Sequence, residues 1–293
     1  MSQIEPSPHP KDNLSKALTD KFLIKFWGVR GLIPTPGEEN NRYGGNTACV
    51  EMQVAGKNLI FDGGTGLRVL GKTWLQQQEI IASLFFTNAQ TNRIQGFPFF
   101  APAFTSRNCF HIYGTAASNG ASIKQSLSDQ MLLPHFPYPL QVMESKLEFH
   151  NLTPDKVIAV DDVTVQMILI NNNTKSVGYV VRLQENSVAY MTDLQSEIDD
   201  VEQGRVMELI EGVDLLIANP NYINSRFHDS QTPIDLYWQN AVELACKAGV
   251  KKLVFSNHHP NDNDDFLDEV QSRIKREFEQ AYLAREGMLI SIN

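Results

Sequence analysis

The chain reads as an α/β (α+β) protein with two β-sheets held between helical layers, and three observations point there. Apolar runs of five to nine residues, rich in β-branched and aromatic side chains and bounded by Gly or Asn, dominate the first half. Toward the C-terminus similar runs alternate with helical segments. From Asp264 onward, Phe266, Val270, Ile274, Phe278 and Tyr282 recur every four residues, which traces one apolar stripe along a helix.

Taken in order, the opening "MSQIEPSPHPKDNLSKALTD", residues 1–20, is polar and Pro/Ser-containing, so it is expected to be a flexible leader. It lacks the apolar stretch of a secretory signal, which makes a cytoplasmic location the default expectation. Strand-like runs follow at 21–28, 47–54, 57–64 and 79–87. Later strands fit "CFHIYG", "KLEFH", "DVTVQMILI", "VGYVVRL", "SVAYMTD", "DLLIANP" and "KKLVFSN". A helix over "DLYWQNAVELACKAG" ends at Gly249, and the striped helix is stopped by Gly287 before the strand "MLISI". No internal repeat and no low-complexity linker interrupts the chain, so residues 21–293 are expected to form a single domain.

Composition narrows the function classes. At 293 residues, 42% hydrophobic and 20% charged, the chain has the make-up of an ordinary soluble protein. No apolar run approaches the ~20 residues that cross a bilayer, so no membrane partner is expected. The formal charge of -9 argues against nucleic acid as a partner. Cys49, Cys109 and Cys246 lie far apart with no CxxC pair, which suits reduced, buried thiols.

Several strings then carry a resemblance. "KFWGVRGLIPTPG", "NNRYGGNTACVE", "LIFDGGTGLRVLG", "IQGFPFFAPAF" and "HIYG", with "AVELACKAGVKKLVF" and "LAREGM", look like the metallo-β-lactamase fold hydrolases of the ribonuclease Z and phosphodiesterase-like branch. The likeness covers most of residues 21–293 and implies an αββα four-layer sandwich of two mixed β-sheets flanked by helices. It also implies an HxHxDH motif after the strand matching "LFFT", whose side chains hold a dinuclear zinc centre.

This sequence has "NAQTNR" there. Aligned on "IQGF", the family's three histidine positions fall on Asn88, Gln90 and Arg93, and its aspartate falls on Asn92. Its mid-chain histidine corresponds to Asn172 and its late histidine to Asn257, while the bridging carboxylate survives as Asp193. Zinc takes imidazole, thiolate or carboxylate ligands at ~2.0–2.3 Å, and neutral amides replace them poorly. Zinc, the family's cofactor, is therefore expected to be absent. Arg93 would put a permanent cation where a dication should sit, and it is expected to pair with Asp193. Asp62 matches the family's structural carboxylate at a strand end and is assigned no catalysis.

Rival sites are weaker. "GLRVLGKT", Gly66–Thr73, matches the GxxxxGK[ST] phosphate loop and would make nucleotide binding an alternative, but its bulky Leu67, Val69 and Leu70 fit a helix better. His258, His259, Asp262, Asp264 and Asp265 are metal-ligand types and offer a displaced metal site. Adjacent histidines on a strand end point apart, though, and the aspartates suit a helix N-terminus. His228 and Asp229 lie in a polar loop and read as solvated. No GxSxG elbow is present and no cysteine has a sequence-adjacent His; only a pair made by folding would supply such a nucleophile.

The sequence therefore predicts a metallo-β-lactamase fold pseudoenzyme with a ligand-binding, regulatory or protein-interaction role. The alternative is a phosphodiesterase-like, metal-dependent hydrolase with a non-standard site. Arg93 is the expected contact for a small anionic ligand, a protein partner is the other expectation, and a homodimer follows by analogy with related folds. Phe97, Phe99, Phe100 and Phe104 are expected to be buried rather than to form a contact surface.

Overall fold

The computed structural model describes residues 22–153, 156–171, 174–194, 200–219 and 238–292. The expected leader, Asn172, His228 and Asp229 lie outside the described residues.

Among the described residues, two seven-stranded sheets face each other. The first holds β1 (Phe22–Gly28), β2 (Cys49–Val54), β3 (Lys57–Phe61), β4 (Ile81–Phe85), β5 (Cys109–Gly114), β6 (Lys146–Asn151) and β14 (Leu289–Ile292). Its order is β14-β1-β2-β3-β4-β5-β6. The second holds β7 (Val157–Val160), β8 (Val163–Asn171), β9 (Ser176–Leu183), β10 (Asn186–Met191), β11 (Leu215–Ala218), β12 (Leu253–Phe255) and β13 (Ala281–Leu283), in the order β13-β12-β11-β10-β9-β8-β7. Both sheets are mixed. From β14 to β3 the pairs are antiparallel and from β3 to β6 parallel; β7 to β10 are antiparallel and β10 to β13 parallel.

The helices are α1 (Thr65–Trp74), α2 (Thr91–Ile94), α3 (Ile123–Asp129), α4 (Asp200–Ile210), α5 (Gln239–Lys247) and α6 (Asp264–Glu277). Three buried clusters make the layers visible. Phe22, Phe26, Phe61, Phe85, Tyr179 and Tyr190 belong to the cluster between the sheets. Leu67, Leu70 and Trp74 of α1 pack on the outer face of the first sheet, and Leu267, Val270 and Ile274 of α6 on that of the second. The amphipathic stripes thus bury against sheets, as helices in layered folds must. Among the described residues no helix is long and apolar enough to cross a membrane.

Several local expectations need correction. The striped helix stops at Glu277: Phe278 is already extended (φ -138°, ψ 102°), and Tyr282 lies in β13. Pairing of Ala281, Tyr282 and Leu283 with β12 overrides the four-residue period, and the Gln271 side chain ties β13 back to the helix through the Leu283 amide and Ala281 carbonyl. Gly66–Thr73 lies wholly within α1, so the phosphate-loop match is an ordinary helix and not an anion cradle. A Cβ on Gly66 would come within 2.6 Å of the Trp27 backbone, which explains that glycine by close packing. Phe97 and Phe100 are buried as expected, whereas Phe99 and Phe104 are exposed. Of the cysteines, Cys49 is buried, Cys109 half-buried and Cys246 exposed.

Candidate functional site

The site forms where the parallel strands of both sheets end, the position at which open α/β sheets generally place their ligands. Asp62 follows β3, Thr87–Arg93 follow β4, Asp193 follows β10 and Asn257 follows β12. Asp62 and Asn257 both adopt left-handed backbone angles, φ 61° and 62°, which short polar side chains tolerate better than others. The loops on β3 and β4 meet backbone to backbone: Gly63 N donates to Arg93 O, and Gly96 N to Gly63 O. A Cβ on Gly96 would lie 1.9 Å from the Gly64 carbonyl oxygen, so only glycine allows that approach.

Arg93 fills the centre. Its side chain is 2% exposed, and it donates from Nη1 to Asp62 Oδ2 at 2.8 Å and from Nη2 to Asp193 Oδ1 at 3.0 Å. The expected partnership with Asp193 is formed, and Asp62 is a second partner that sequence reasoning missed. The network also fixes the Asn257 amide, because only with its oxygen toward Arg93 do donors meet an acceptor; that oxygen then accepts from Nη1 at 2.8 Å and Nη2 at 3.0 Å. The terminal nitrogens of the guanidinium are therefore saturated by groups from three strand ends in two sheets.

Around it, the two carboxylates and Asn88 are tied down by further bonds, while Arg93 Nε is buried without a hydrogen-bond partner among the described residues. Asp62 also accepts from Thr87 N at 2.9 Å, Thr87 Oγ1 at 2.8 Å and Tyr190 Oη at 2.9 Å. Asn88 Nδ2 donates to Asp193 Oδ2 at 2.6 Å and to Ser176 Oγ at 2.9 Å, while its Oδ1 accepts from Gln90 N. Burial pushes the Asp62 carboxyl up from its ordinary value, with Arg93 and Thr87 pulling against that. Burial would lower the Arg93 value, but the two carboxylates override it and hold the guanidinium charged. Burial raises the Tyr190 phenol well above its ordinary value, so it stays a donor to Asp62.

The structure brings Asn88, Arg93, Asp193 and Asn257 together. It does not bring Gln90, whose side chain is exposed, and Asn92 is buried with no side-chain bond to this network among the described residues. Thr87, Ser176 and Tyr190 were missed because they read as ordinary strand residues. Only the strand-end position of Thr87, next to the replaced motif, offered a signal.

The displaced site on His258, His259 and Asp262 does not assemble. His258 is fully buried and donates from Nε2 to Ala284 O at 2.8 Å, and burial lowers its pKa to about 3. Arg30 Nη1 donates to the carbonyls of His259 at 3.3 Å and Asp262 at 2.6 Å, a structural clamp. Asn263, not an aspartate, caps α6, accepting from Phe266 N, while the Asp264 carboxylate accepts from the Arg42 and Tyr43 amides. Among the described residues, folding does bring together a Cys/His pair, Cys109 Sγ 3.9 Å from His111 Nε2. Burial and Glu148 push that thiol up, the reverse of activation.

A family model described as Beta-lactamase superfamily domain matches residues 57–258, more than half of the chain. The chain belongs to the beta-lactamase superfamily. Its fold is that of solved members of the metallo-β-lactamase group. The metallo-beta-lactamase fold protein YhfI from Bacillus subtilis is 17% identical, with TM-score 0.66, and the match covers 93% of this chain and 100% of that one. A diphosphatase from the PhnP family is 16% identical with TM-score 0.67, covering 93% and 98%. The short form of human tRNase Z is 17% identical with TM-score 0.63, covering 92% and 99%. No curated protein matches the chain.

The metal centre that this fold implies does not fit the residues present. A zinc-type ion needs imidazole, thiolate or carboxylate lone pairs converging at ~2.0–2.3 Å. Here the two carboxylates converge on a guanidinium that cannot be deprotonated, and the amides are already engaged, Asn88 with Asp193 and Ser176 and Asn257 with Arg93.

Proposed function

We propose that this chain is a non-catalytic member of the superfamily, a pseudoenzyme whose conserved architecture serves binding or regulation rather than hydrolysis. The observation that carries the reading is the Arg93 guanidinium held by Asp62, Asp193 and Asn257 where the strand ends converge. A permanent cation there opposes a divalent ion by charge and by occupancy. Without the ion there is nothing to bring a water's pKa down to roughly 7 or to polarise a phosphoryl group. Because the terminal nitrogens already face acceptors, the anion-binding role expected for Arg93 is disfavoured as well. The protein-interaction reading gains support from an exposed aromatic patch: Phe99 and Tyr138 are 54% and 60% exposed. The Phe136 ring lies between them, 5.5 Å from Phe99 and 6.5 Å from Tyr138. Patches of this kind mark contact sites more often than scattered apolar residues do.

The rival reading is a hydrolase, the class of the PhnP-family diphosphatase whose fold this chain shares. One experiment separates them: phosphodiester hydrolysis measured with zinc, manganese or iron supplied, for the natural chain and for Asp193→Asn. The proposal expects background rates for both. Turnover that is lost on chelation and lost in Asp193→Asn overturns it.

A further inference from the structure

We propose that His111, Glu148 and His150 form a binding site for one divalent transition-metal ion of the zinc class, on the edge of the first sheet and separate from the Arg93 centre. Among the described residues, these are the only three or more His, Cys, Asp or Glu side chains whose ligand atoms gather, each offering one atom within 4.8 Å of the others. The backbone places them. In the parallel pair β5 and β6, His111 stands opposite Glu148 and Tyr113 opposite His150. Alternation along β6 then puts Glu148 and His150 on one face, shared with His111. Phe110 and Ile112 point the other way, into the helix-side core, while Tyr113 packs toward the core between the sheets.

The side chains are also held. His111 Nδ1 lies 2.9 Å from Glu148 Oε2, and Lys146 takes the other oxygen, Oε1. Tyr113 stacks on His150 at 4.6 Å and 16°, and the His111 and His150 rings lie 5.8 Å apart at 25°. His150 Nε2 is shut off from solvent with no hydrogen-bond partner. A buried polar nitrogen left unpaired is costly, and a metal ion is one group that would satisfy it.

Two imidazoles and one carboxylate are a zinc-type set, and a tetrahedral ion with bonds of ~2.0–2.1 Å needs its ligands roughly 3.4 Å apart. Small side-chain rotations close the gap from 4.8 Å, because His111 and Glu148 are each 31% exposed and free to adjust. The ion would enter between His111 Nδ1 and Glu148 Oε2 in place of the proton they share, leaving Lys146 on Oε1. A fourth position remains for water. Cys109 lies by the opposite ring nitrogen of His111 and is no ligand in this arrangement.

The test is calorimetric titration of the full chain with zinc chloride, repeated for His111→Ala, His150→Ala, Glu148→Gln, Cys109→Ser and Asp193→Asn. The expected result is one ion per chain, with affinity at least about tenfold weaker in each of the first three and changed by less than about twofold in the last two. Cobalt in place of zinc should give visible absorption that His150→Ala abolishes. Glu148→Gln preserves side-chain volume at a partly exposed position, so the test does not depend on the histidine variants folding. No saturable uptake, or uptake that survives His111→Ala with His150→Ala, overturns the proposal. So does uptake lost in Asp193→Asn but kept in His150→Ala, which would place the ion at the Arg93 centre and contradict the non-catalytic reading as well; failure of the first kind leaves that reading untouched.

Discussion

Removing the guanidinium from the centre isolates its structural role. In Arg93→Met the side-chain volume is largely kept, but Asp62, whose side chain is 0% exposed, loses its cation, and so does Asp193, which is 10% exposed. Breaking a buried ion pair from one side costs about 3–5 kcal/mol, because the other charge stays desolvated. Asp193 can recover hydration at its open edge, so most of the loss comes from Asp62, and about 4 kcal/mol is expected. That corresponds to a fall in Tm of roughly 10 °C for a chain of this size. Urea denaturation at pH 7 should show a lower midpoint with an unchanged m value. Arg93→Lys should recover less than half of the loss, since an ammonium cannot span two carboxylates and an amide. Adding Asp62→Asn to Arg93→Met should restore most of the stability, because the only carboxylate then left without its cation is Asp193, which can recover hydration at its open edge. The sign with pH is also fixed. Without Arg93 the Asp62 carboxyl is raised further in the folded state, so the folded form binds protons more tightly and the deficit shrinks as pH falls from 7 to 4. A loss below about 1 kcal/mol at pH 7, or no rescue by Asp62→Asn, would refute the account.

Three other outcomes follow from the geometry. His258 is held neutral at a pKa of about 3, by burial first and then by Arg30 and Arg285, against an ordinary value of 6.5. Its stabilisation is complete above pH 6.5 and is lost toward pH 3, about 2 kcal/mol of it by pH 5; His258→Gln should flatten the slope between pH 7 and 5 in urea titrations. Gly96→Ala should destabilise by about 3 kcal/mol or fail to fold, since its methyl would strike the Gly64 carbonyl, and a melting temperature within 2 °C of the natural chain, roughly 1 kcal/mol, would exclude that contact. Asn263→Ala should cost about 1 kcal/mol by removing the cap on α6, with Asn263→Asp restoring it.

Much of the fold was legible because strands and helices carry different periods. The runs at 109–114, 177–183 and 187–193 became β5, β9 and β10 with ends shifted by a residue or two. β7 was missed, since four residues carry too little pattern, and β13 was absorbed into a helix because Phe278 and Tyr282 continue the spacing of α6 by chance. That boundary is set by pairing with β12, which no local window contains. In the site, Asn88, Arg93, Asp193 and Asn257 were found through resemblance to a motif, while Tyr190 looked like any buried strand aromatic. The His111 cluster was invisible for another reason. Its residues sit in two ordinary-looking runs, and only the register of β5 on β6 brings them together.

The choice of arginine follows from what surrounds it. Asp62 is the acceptor for the Thr87 amide, the Thr87 hydroxyl and the Tyr190 hydroxyl, three buried donors on both sheets. Replacing the carboxylate by an apolar side chain would strand all three, at about 1–3 kcal/mol each. The acid is therefore fixed by its neighbours whether or not a metal is present, and a fixed buried acid requires a cation. Arginine supplies one that stays charged at any pH and whose planar head reaches three strand ends at once. A lysine would satisfy one of them, and a histidine would lose its charge in the same burial that lowers His258. On this reasoning the guanidinium occupies the position because it can do the cross-linking that a metal ion would otherwise do there. On the proposed reading, the bonds that make the centre stable are also the ones that keep a metal-activated water out of it.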